Sequence, residues 1–462
     1  MRVLPNYRQW SHRFMLAGIV LALLIGIPVS AAAPFVEGDV VTLYTMQGEN
    51  VGDGFGWVGA NLGDLDGDGV NDFATTAPFF GGDSANGKFY VYSGKSGALL
   101  NEATGIEGNR LGYSISTAGD VNGDGTPDYI VGGAGPANRI VVYSGADHTI
   151  LQDLTTPAHV RENFGASVAG AGDVNGDGHA DLLVGATRAD VSETITDTGR
   201  VYLLSGVDGT VLWEQLGATP QGLLGSGVGL VGDVNGDQIP DQVAAAPGAG
   251  VDGLGEAYVY SGVDGTVLLT LRPVAEASSG GTFGTFFASG AGDVNHDGTP
   301  DIFVGDYAAV RGSAPGTGRA YLFSGVDGAP LRVFEAEADG DGLGPGRAIP
   351  DINGDGYGDV VLAAWQASAG APKGGKVYLY SGQDGALLHA VTGGLQEDAL
   401  GVDALSVGDV NGDGNMDYMV TAVGNDFNSV DVGHIYIITF AQAPSAVTMQ
   451  PILSGCQPIR AQ

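Results

Sequence analysis

The string Asp-x-Asn/Asp-x-Asp-Gly-x-x-Asp begins at Asp64, Asp120, Asp173, Asp293, Asp351 and Asp409, and a variant with Gln238 in the glycine place begins at Asp233. Successive starts lie 53 to 60 residues apart along a chain of 462. Seven copies in register are an internal repeat, and a repeat of this length is a supersecondary unit stacked on its own copies.

Other marks recur in phase. Shortly before each first aspartate sits an aromatic-Gly or Leu-Gly pair: Phe55-Gly56, Leu111-Gly112, Phe164-Gly165, Leu224-Gly225, Phe283-Gly284, Leu343-Gly344 and Leu400-Gly401. A short apolar run follows each acidic stretch, such as Leu182 to Ala186. A second run ends in Ser-Gly in six units, at Ser93, Ser144, Ser205, Ser261, Ser324 and Ser381. Four of these continue into Asp-Gly steps at Asp208, Asp264, Asp327 and Asp384, the turn chemistry of a hairpin. Glycine is 81 of the 462 residues, and the runs it punctuates are too short for helices.

One unit therefore reads as four antiparallel strands. In the third, these are Ala166–Ala171, Asp181–Ala186, Gly199–Ser205 and Thr210–Glu214. Seven such units predict an all-β, seven-bladed β-propeller over residues 38–440, with an open solenoid of hairpins as the alternative. Closure is favoured because it leaves few exposed strand edges. The ends agree with it. The last unit stops at its third strand, Ile435–Phe440, and Val40–Tyr44 lies ahead of the first Phe-Gly pair. The N-terminal strand is expected to complete the seventh blade.

Alternate Asp, Asn and Asp side chains put three oxygens on one side of a tight loop, and the sixth-position glycine permits the bend. A carbonyl at position seven and a carboxylate at position nine complete an all-oxygen shell, which suits Ca²⁺. The expected ligands are Asp64, Asp66, Asp68, Val70 and Asp72 in the first loop, and Asp120, Asn122, Asp124, Thr126 and Asp128 in the second. The third has Asp173, Asn175, Asp177, His179 and Asp181; the fourth has Asp233, Asn235, Asp237, Ile239 and Asp241. The fifth has Asp293, Asn295, Asp297, Thr299 and Asp301; the sixth has Asp351, Asn353, Asp355, Tyr357 and Asp359. The seventh has Asp409, Asn411, Asp413, Asn415 and Asp417. The position-seven residue in each set offers only its carbonyl. Up to seven Ca²⁺ ions are expected, with the Gln238 loop the weakest site. An EF-hand is disfavoured because β runs, not helices, follow the loops.

The formal charge is −35, from 53 acidic and 18 basic residues, so nucleic acid and anionic lipid are poor partners. The one cysteine, Cys456, allows no internal disulfide. Arg2, Arg8 and Arg13 precede an apolar core, Met15–Val29, and small residues follow. This reads as a signal peptide over residues 1–31 with cleavage at 31–33, hence a secreted or cell-surface protein. No later run is long and apolar enough to span a membrane. A monomer is expected, and residues 441–462 read as a tail.

The Phe-Gly pairs, the acidic loops and exits such as Ala77-Pro78, Gly133–Pro136 and Ala245–Pro247 resemble FG-GAP repeats, as in the β-propeller of integrin α subunits. The resemblance implies a seven-bladed propeller holding Ca²⁺ between the first and second strands of a blade. It also implies adhesion or ligand binding. Integrins usually carry such loops in only some blades; here a calcium loop is expected in every blade, and no leg domain is expected.

Enzyme signatures are scarce. Gly94-Lys95-Ser96 mimics the end of a phosphate loop, but Phe89 stands where its first glycine belongs, so a hairpin turn is expected. His179 and His296 read as exposed turn residues, and no catalytic residue is assigned. On the face opposite the calcium loops, the loops between second and third strands hold Phe79, Phe80, Arg188, Tyr307, Arg311, Trp365, Asn425 and Phe427. These suit a protein ligand or a glycan. They equally suit packing between blades or over the central channel. The function expected is a non-enzymatic adhesion or protein-binding module. The alternatives are a lectin-like propeller and a polysaccharide lyase or hydrolase on the same scaffold.

Overall fold

In a computed structural model, residues 33–156, 162–274, 282–310, 316–424 and 432–441 are described. The expected signal peptide, the tail after 441, Arg311, Asn425 and Phe427 lie outside them.

The described chain folds as seven antiparallel sheets of four strands. Blade 1 is β2 (Gly59–Gly63), β3 (Asp72–Ala77), β4 (Lys88–Tyr92) and β5 (Leu99–Thr104). Blade 2 is β6 (Leu111–Gly119), β7 (Asp128–Gly133), β8 (Arg139–Tyr143) and β9 (Ile150–Thr155). Blade 3 is β10 (Phe164–Gly172), β11 (Asp181–Ala186), β12 (Arg200–Leu204) and β13 (Val211–Leu216). Blade 4 is β14 (Val228–Gly232), β15 (Asp241–Ala246), β16 (Glu256–Tyr260) and β17 (Val267–Leu271). Blade 5 is β18 (Ala288–Gly292), β19 (Asp301–Asp306), β20 (Arg319–Phe323) and β21 (Pro330–Glu335). Blade 6 is β22 (Leu343–Ile349), β23 (Asp359–Ala364), β24 (Lys376–Tyr380) and β25 (Leu387–Thr392). Blade 7 is β26 (Leu400–Gly408), β27 (Asp417–Ala422), β28 (His434–Phe440) and, from the other end of the chain, β1 (Val40–Gln47).

The seventh blade closes as the repeat predicts. β1 pairs antiparallel with β28, from Val40 opposite Phe440 to Gln47 opposite His434. The segment ahead of β1 adds a clasp that the sequence reading did not foresee. Phe35 is buried against Tyr436, with ring centroids 5.2 Å apart. Val36 N–H donates to Thr392 O, and Glu37 Oε2 accepts the Thr392 N–H at 2.7 Å. The N-terminal residues thus grip blade 6 as well as completing blade 7.

The hydrophobic core lies between blades. Seven buried clusters each draw from two successive sheets, and the cluster of Phe55, Phe73 and Tyr90 with Leu405, Met419 and Ile435 joins blade 1 to blade 7. The second strand of every blade is buried along its whole length, because both its faces meet a neighbour. The aromatic or leucine of each Phe-Gly or Leu-Gly pair is no more than 3% exposed and fills the interface with the preceding blade. Blades are also joined by backbone: Gly87 bridges Leu111, Gly199 bridges Leu224, Gly318 bridges Leu343 and Gly375 bridges Leu400. A Cβ on Gly87 would sit 2.2 Å from Leu111 O, so glycine is required for that approach.

Phe35→Ala is expected to lower stability by about 3–5 kcal/mol, as for a fully packed core phenylalanine. Urea denaturation measures this, and a loss under about 1 kcal/mol would show that the clasp is not part of the core.

Candidate metal centres

The seven acidic loops join the first and second strands of each blade, so all lie on one face. Their internal hydrogen bonds repeat. The first aspartate caps the turn: its Oδ2 accepts the position-six N–H at 2.7–2.9 Å in every loop, from Gly69, Gly125, Gly178, Gln238, Gly298, Gly356 and Gly414. Its Oδ1 accepts the position-five N–H, as in Asp68 to Asp64 at 3.1 Å. The position-five carboxylate takes the position-seven N–H, as in Val70 to Asp68 at 3.0 Å. In three loops the asparagine amide donates to the position-five carboxylate, with Asn122 to Asp124 at 2.8 Å.

The position-nine aspartates behave differently. Asp72, Asp128, Asp181, Asp241, Asp301, Asp359 and Asp417 are fully buried. The Oδ2 of each accepts the position-two N–H at 2.8–2.9 Å. In six blades Oδ1 accepts the N–H of the glycine in the Ser-Gly step: Gly94, Gly145, Gly206, Gly262, Gly325 and Gly382. One carboxylate therefore ties the acidic loop to the hairpin between the third and fourth strands. Blade 7 has no such hairpin, because its fourth strand is β1; there the Thr439 hydroxyl, not a glycine N–H, pulls the Asp417 carboxyl down against its burial.

In the first loop one oxygen each from Asp64, Asp66 and Asp72 lies within 4.8 Å of the others. Oxygens on one Ca²⁺ at about 2.4 Å can be at most about 4.8 Å apart, so the trio fits a cation of that size. The other loops carry asparagine at position three, so an amide oxygen replaces one of these carboxylates. Several loops thus form oxygen clusters suited to calcium.

Burial raises the pKa of every position-nine carboxyl, against the pull of its backbone N–H bonds; Asp301 reaches about 6. The Asp66 charge adds to the rise at Asp72. The exposed Asp124, Asp351 and Asp413 are instead held low by backbone N–H donors from Thr126, Gly356 and Asn415. In the second, sixth and seventh loops a carboxyl raised by burial thus shares its loop with one held down by N–H donors.

Position six is left-handed throughout, including Gln238 at φ +70°. Position four is left-handed too, a requirement the sequence reading missed although glycine holds it in six loops. The exception is His296, at φ +60°. It is not a free turn residue: its Nε2 is 2.7 Å from Gly356 O and its ring stacks on Tyr357 at 3.9 Å. His179 likewise reaches Val121 O at 2.8 Å. Both histidines link neighbouring acidic loops. Gly94-Lys95-Ser96 is the expected hairpin turn, closed by Ser93 N–H to Ala98 O.

On the opposite face, Phe79, Tyr307 and Trp365 are half-buried around the mouth of the central channel. They join three aromatics that the sequence reading passed over. Trp57 packs on Phe79, Tyr113 and Phe286 at 5.5, 5.7 and 6.1 Å. Phe286 comes from blade 5 yet meets blades 1 and 2, and it holds φ +64°, a costly conformation for a bulky residue. The signal was present: Trp57 and Tyr113 directly follow the Phe-Gly and Leu-Gly pairs, and Phe286 follows one residue later. Trp57, Phe286, Tyr307, Pro345, Trp365 and Val402 line an apolar bowl of about 220 Å³. Phe80 instead packs beneath Lys88, and Arg188 borders a separate groove.

The FG-GAP repeat model matches residues 55–92 and 164–204, and the FG-GAP-like repeat model matches 351–420. The chain carries FG-GAP repeats. It is also homologous to integrin alpha chains. It is 34% identical over 238 residues to integrin alpha-PS2 of Drosophila melanogaster, covering 47% of this chain and 16% of that one. It is 35% identical over 220 residues to integrin alpha-IIb of Mus musculus, covering 43% and 20%. It is 30% identical over 217 residues to integrin alpha-8 of Gallus gallus, covering 44% and 20%. The match spans no more than a fifth of the length of these three relatives.

Gln238→Gly is expected to stabilise the protein by about 1 kcal/mol by relieving the left-handed side chain. His296→Gly is not, because it removes the contacts to Gly356 and Tyr357. Thermal or urea midpoints separate the two.

A raised carboxyl pKa favours the protonated form in the folded state. That stability is present below the ordinary value of 3.8 and lost as pH rises through the folded value, about 6 for Asp301. Metal-free protein is therefore expected to lose stability from about pH 4 to pH 6, and millimolar Ca²⁺ to remove the loss. Melting curves across this range, with and without the ion, check it.

Proposed function

We propose that this chain is a secreted, calcium-binding FG-GAP propeller that acts as an adhesion or protein-binding module. The observation that carries the reading is the separation of its two faces. One holds seven acidic loops; the other holds an apolar bowl over the channel mouth. Calcium staples the rim, and the free face recognises a ligand.

In this reading all seven loops take Ca²⁺, through side chains at positions one, three, five and nine and the carbonyl at position seven. A cation between these carboxylates relieves their repulsion and stabilises only the folded loop. Extracellular calcium modules often bind with Kd of about 10⁻⁴–10⁻³ M, and at such a Kd occupancy follows the calcium of the exterior. Residues 1–31 serve as the export signal, and the mature propeller works as a monomer. Among the described residues no helix is long and apolar enough to cross a membrane.

The kinship with integrin alpha chains supports a non-catalytic role. A protein ligand is favoured over a glycan by the bowl itself. The side chains of Trp57, Phe286, Tyr307, Pro345, Trp365 and Val402 offer few polar atoms to satisfy sugar hydroxyls.

Isothermal titration is expected to detect uptake of several Ca²⁺ ions at millimolar levels, with a rise in melting temperature. No uptake at that concentration would sink the metal reading. A pull-down from the extracellular milieu is expected to retain a protein partner with Ca²⁺ and lose it in chelator.

A further inference from the structure

Cations are scarce on this protein, and among the described residues most are paired. Of the twelve lysines and arginines among the described residues, eight contact a carboxylate and Arg332 donates to the carbonyls of Gln383 and Asp384. Arg110, Arg188 and Lys373 do not. On a chain with 53 acids and 18 bases, an unpaired cation is the exception. Two of the three lie together.

Arg110 and Arg188 border one groove of about 560 Å³, with Ala85, Gly108, Pro136 and Asn163. Both are exposed. Arg110 stands between blades 1 and 2, and Arg188 follows β11 in blade 3. The Arg110 guanidinium lies 5.7 Å from the Phe79 ring, which steadies it without neutralising it. Burial raises the Tyr113 hydroxyl, while the charges of both arginines pull it down, so one phenol feels both. Phe79 and Tyr113 both pack on Trp57, so the groove adjoins the apolar bowl.

We propose that Arg110 and Arg188 hold a carboxylate of an acidic peptide segment whose neighbouring apolar side chain enters the bowl of Trp57, Phe286 and Trp365. This rests on the protein-binding reading and specifies its ligand. A guanidinium fork matches a carboxylate with two parallel hydrogen bonds, and two such forks select for acid. The acidic remainder of the surface repels that same segment elsewhere, which fixes its placement.

The test is a phage-displayed library of random dodecapeptides, panned on the full-length protein in millimolar Ca²⁺. The expected result is enrichment of sequences pairing Asp or Glu with a large apolar residue. The best synthetic peptide is expected to bind roughly tenfold more weakly to Arg110→Gln or Arg188→Gln, and to lose binding to Arg188→Glu. Arg188→Lys keeps part of the affinity, and rising salt weakens binding. Both side chains are exposed, so melting temperatures stay unchanged and report folding. Enriched peptides that lack acids, or that ignore both arginine variants, overturn this inference and leave the protein-binding reading standing. Failure to enrich any peptide overturns both. A uronate and sulfated glycan array is the third arm; glycan binding lost in the same variants assigns the groove to a sugar and overturns the peptide.

Discussion

A four-stranded sheet with two apolar faces cannot bury them alone. It needs a like sheet on each side, and the last sheet in such a row needs the first. This requirement governs the whole molecule. Seven buried clusters sit between seven blades, and the cluster shared by blades 7 and 1 exists only because the ring closes. Closure in turn depends on β1 reaching β28, with Phe35 and Glu37 clasping the adjoining sheet. With Cys456 the one cysteine, these contacts hold the ring closed without an internal disulfide.

The rim follows from the same geometry. A tight turn between the first two strands leaves backbone N–H groups without partners, and aspartate is the residue best able to cap them. The first and fifth positions do so within the loop. The ninth, buried in every blade, reaches across to the neighbouring hairpin in six of them. These carboxylates organise backbone and, in the first loop, also gather oxygens at the spacing of a cation site. Asp72 illustrates both: it accepts the N–H groups of Leu65 and Gly94, and one of its oxygens lies in the trio with Asp64 and Asp66. The capping bonds shape the loop in advance, while the crowded charge favours a cation.

Period and motif made the architecture and the acidic loops readable from residues alone. Strand positions in the third blade match within two residues, and the hairpin at Gly94-Lys95-Ser96 forms as its turn chemistry requires. Contact between repeats is not legible in the sequence. His179 and His296 look like turn residues until the adjacent loop is set beside them. Trp57, Tyr113 and Phe286 look like core residues until the ring brings blades 1, 2 and 5 to one opening. The left-handed demand at position four was visible as a near-invariant glycine within the repeat, but its reason appears only in the backbone angles.

The amino-acid order by itself determined the number of blades, the four strands in each, the side that carries the acidic loops and the end-to-end closure. All of these are set by local hydrogen-bonding chemistry and by a pattern copied seven times. Tertiary structure alone decided which side chains share the channel mouth, which of the described arginines remain unpaired, and that the ninth aspartate of six blades spans two turns. Those facts depend on distances between residues tens to hundreds of positions apart. A repeat pattern records what each unit is, and only the closed ring records what the units do to one another.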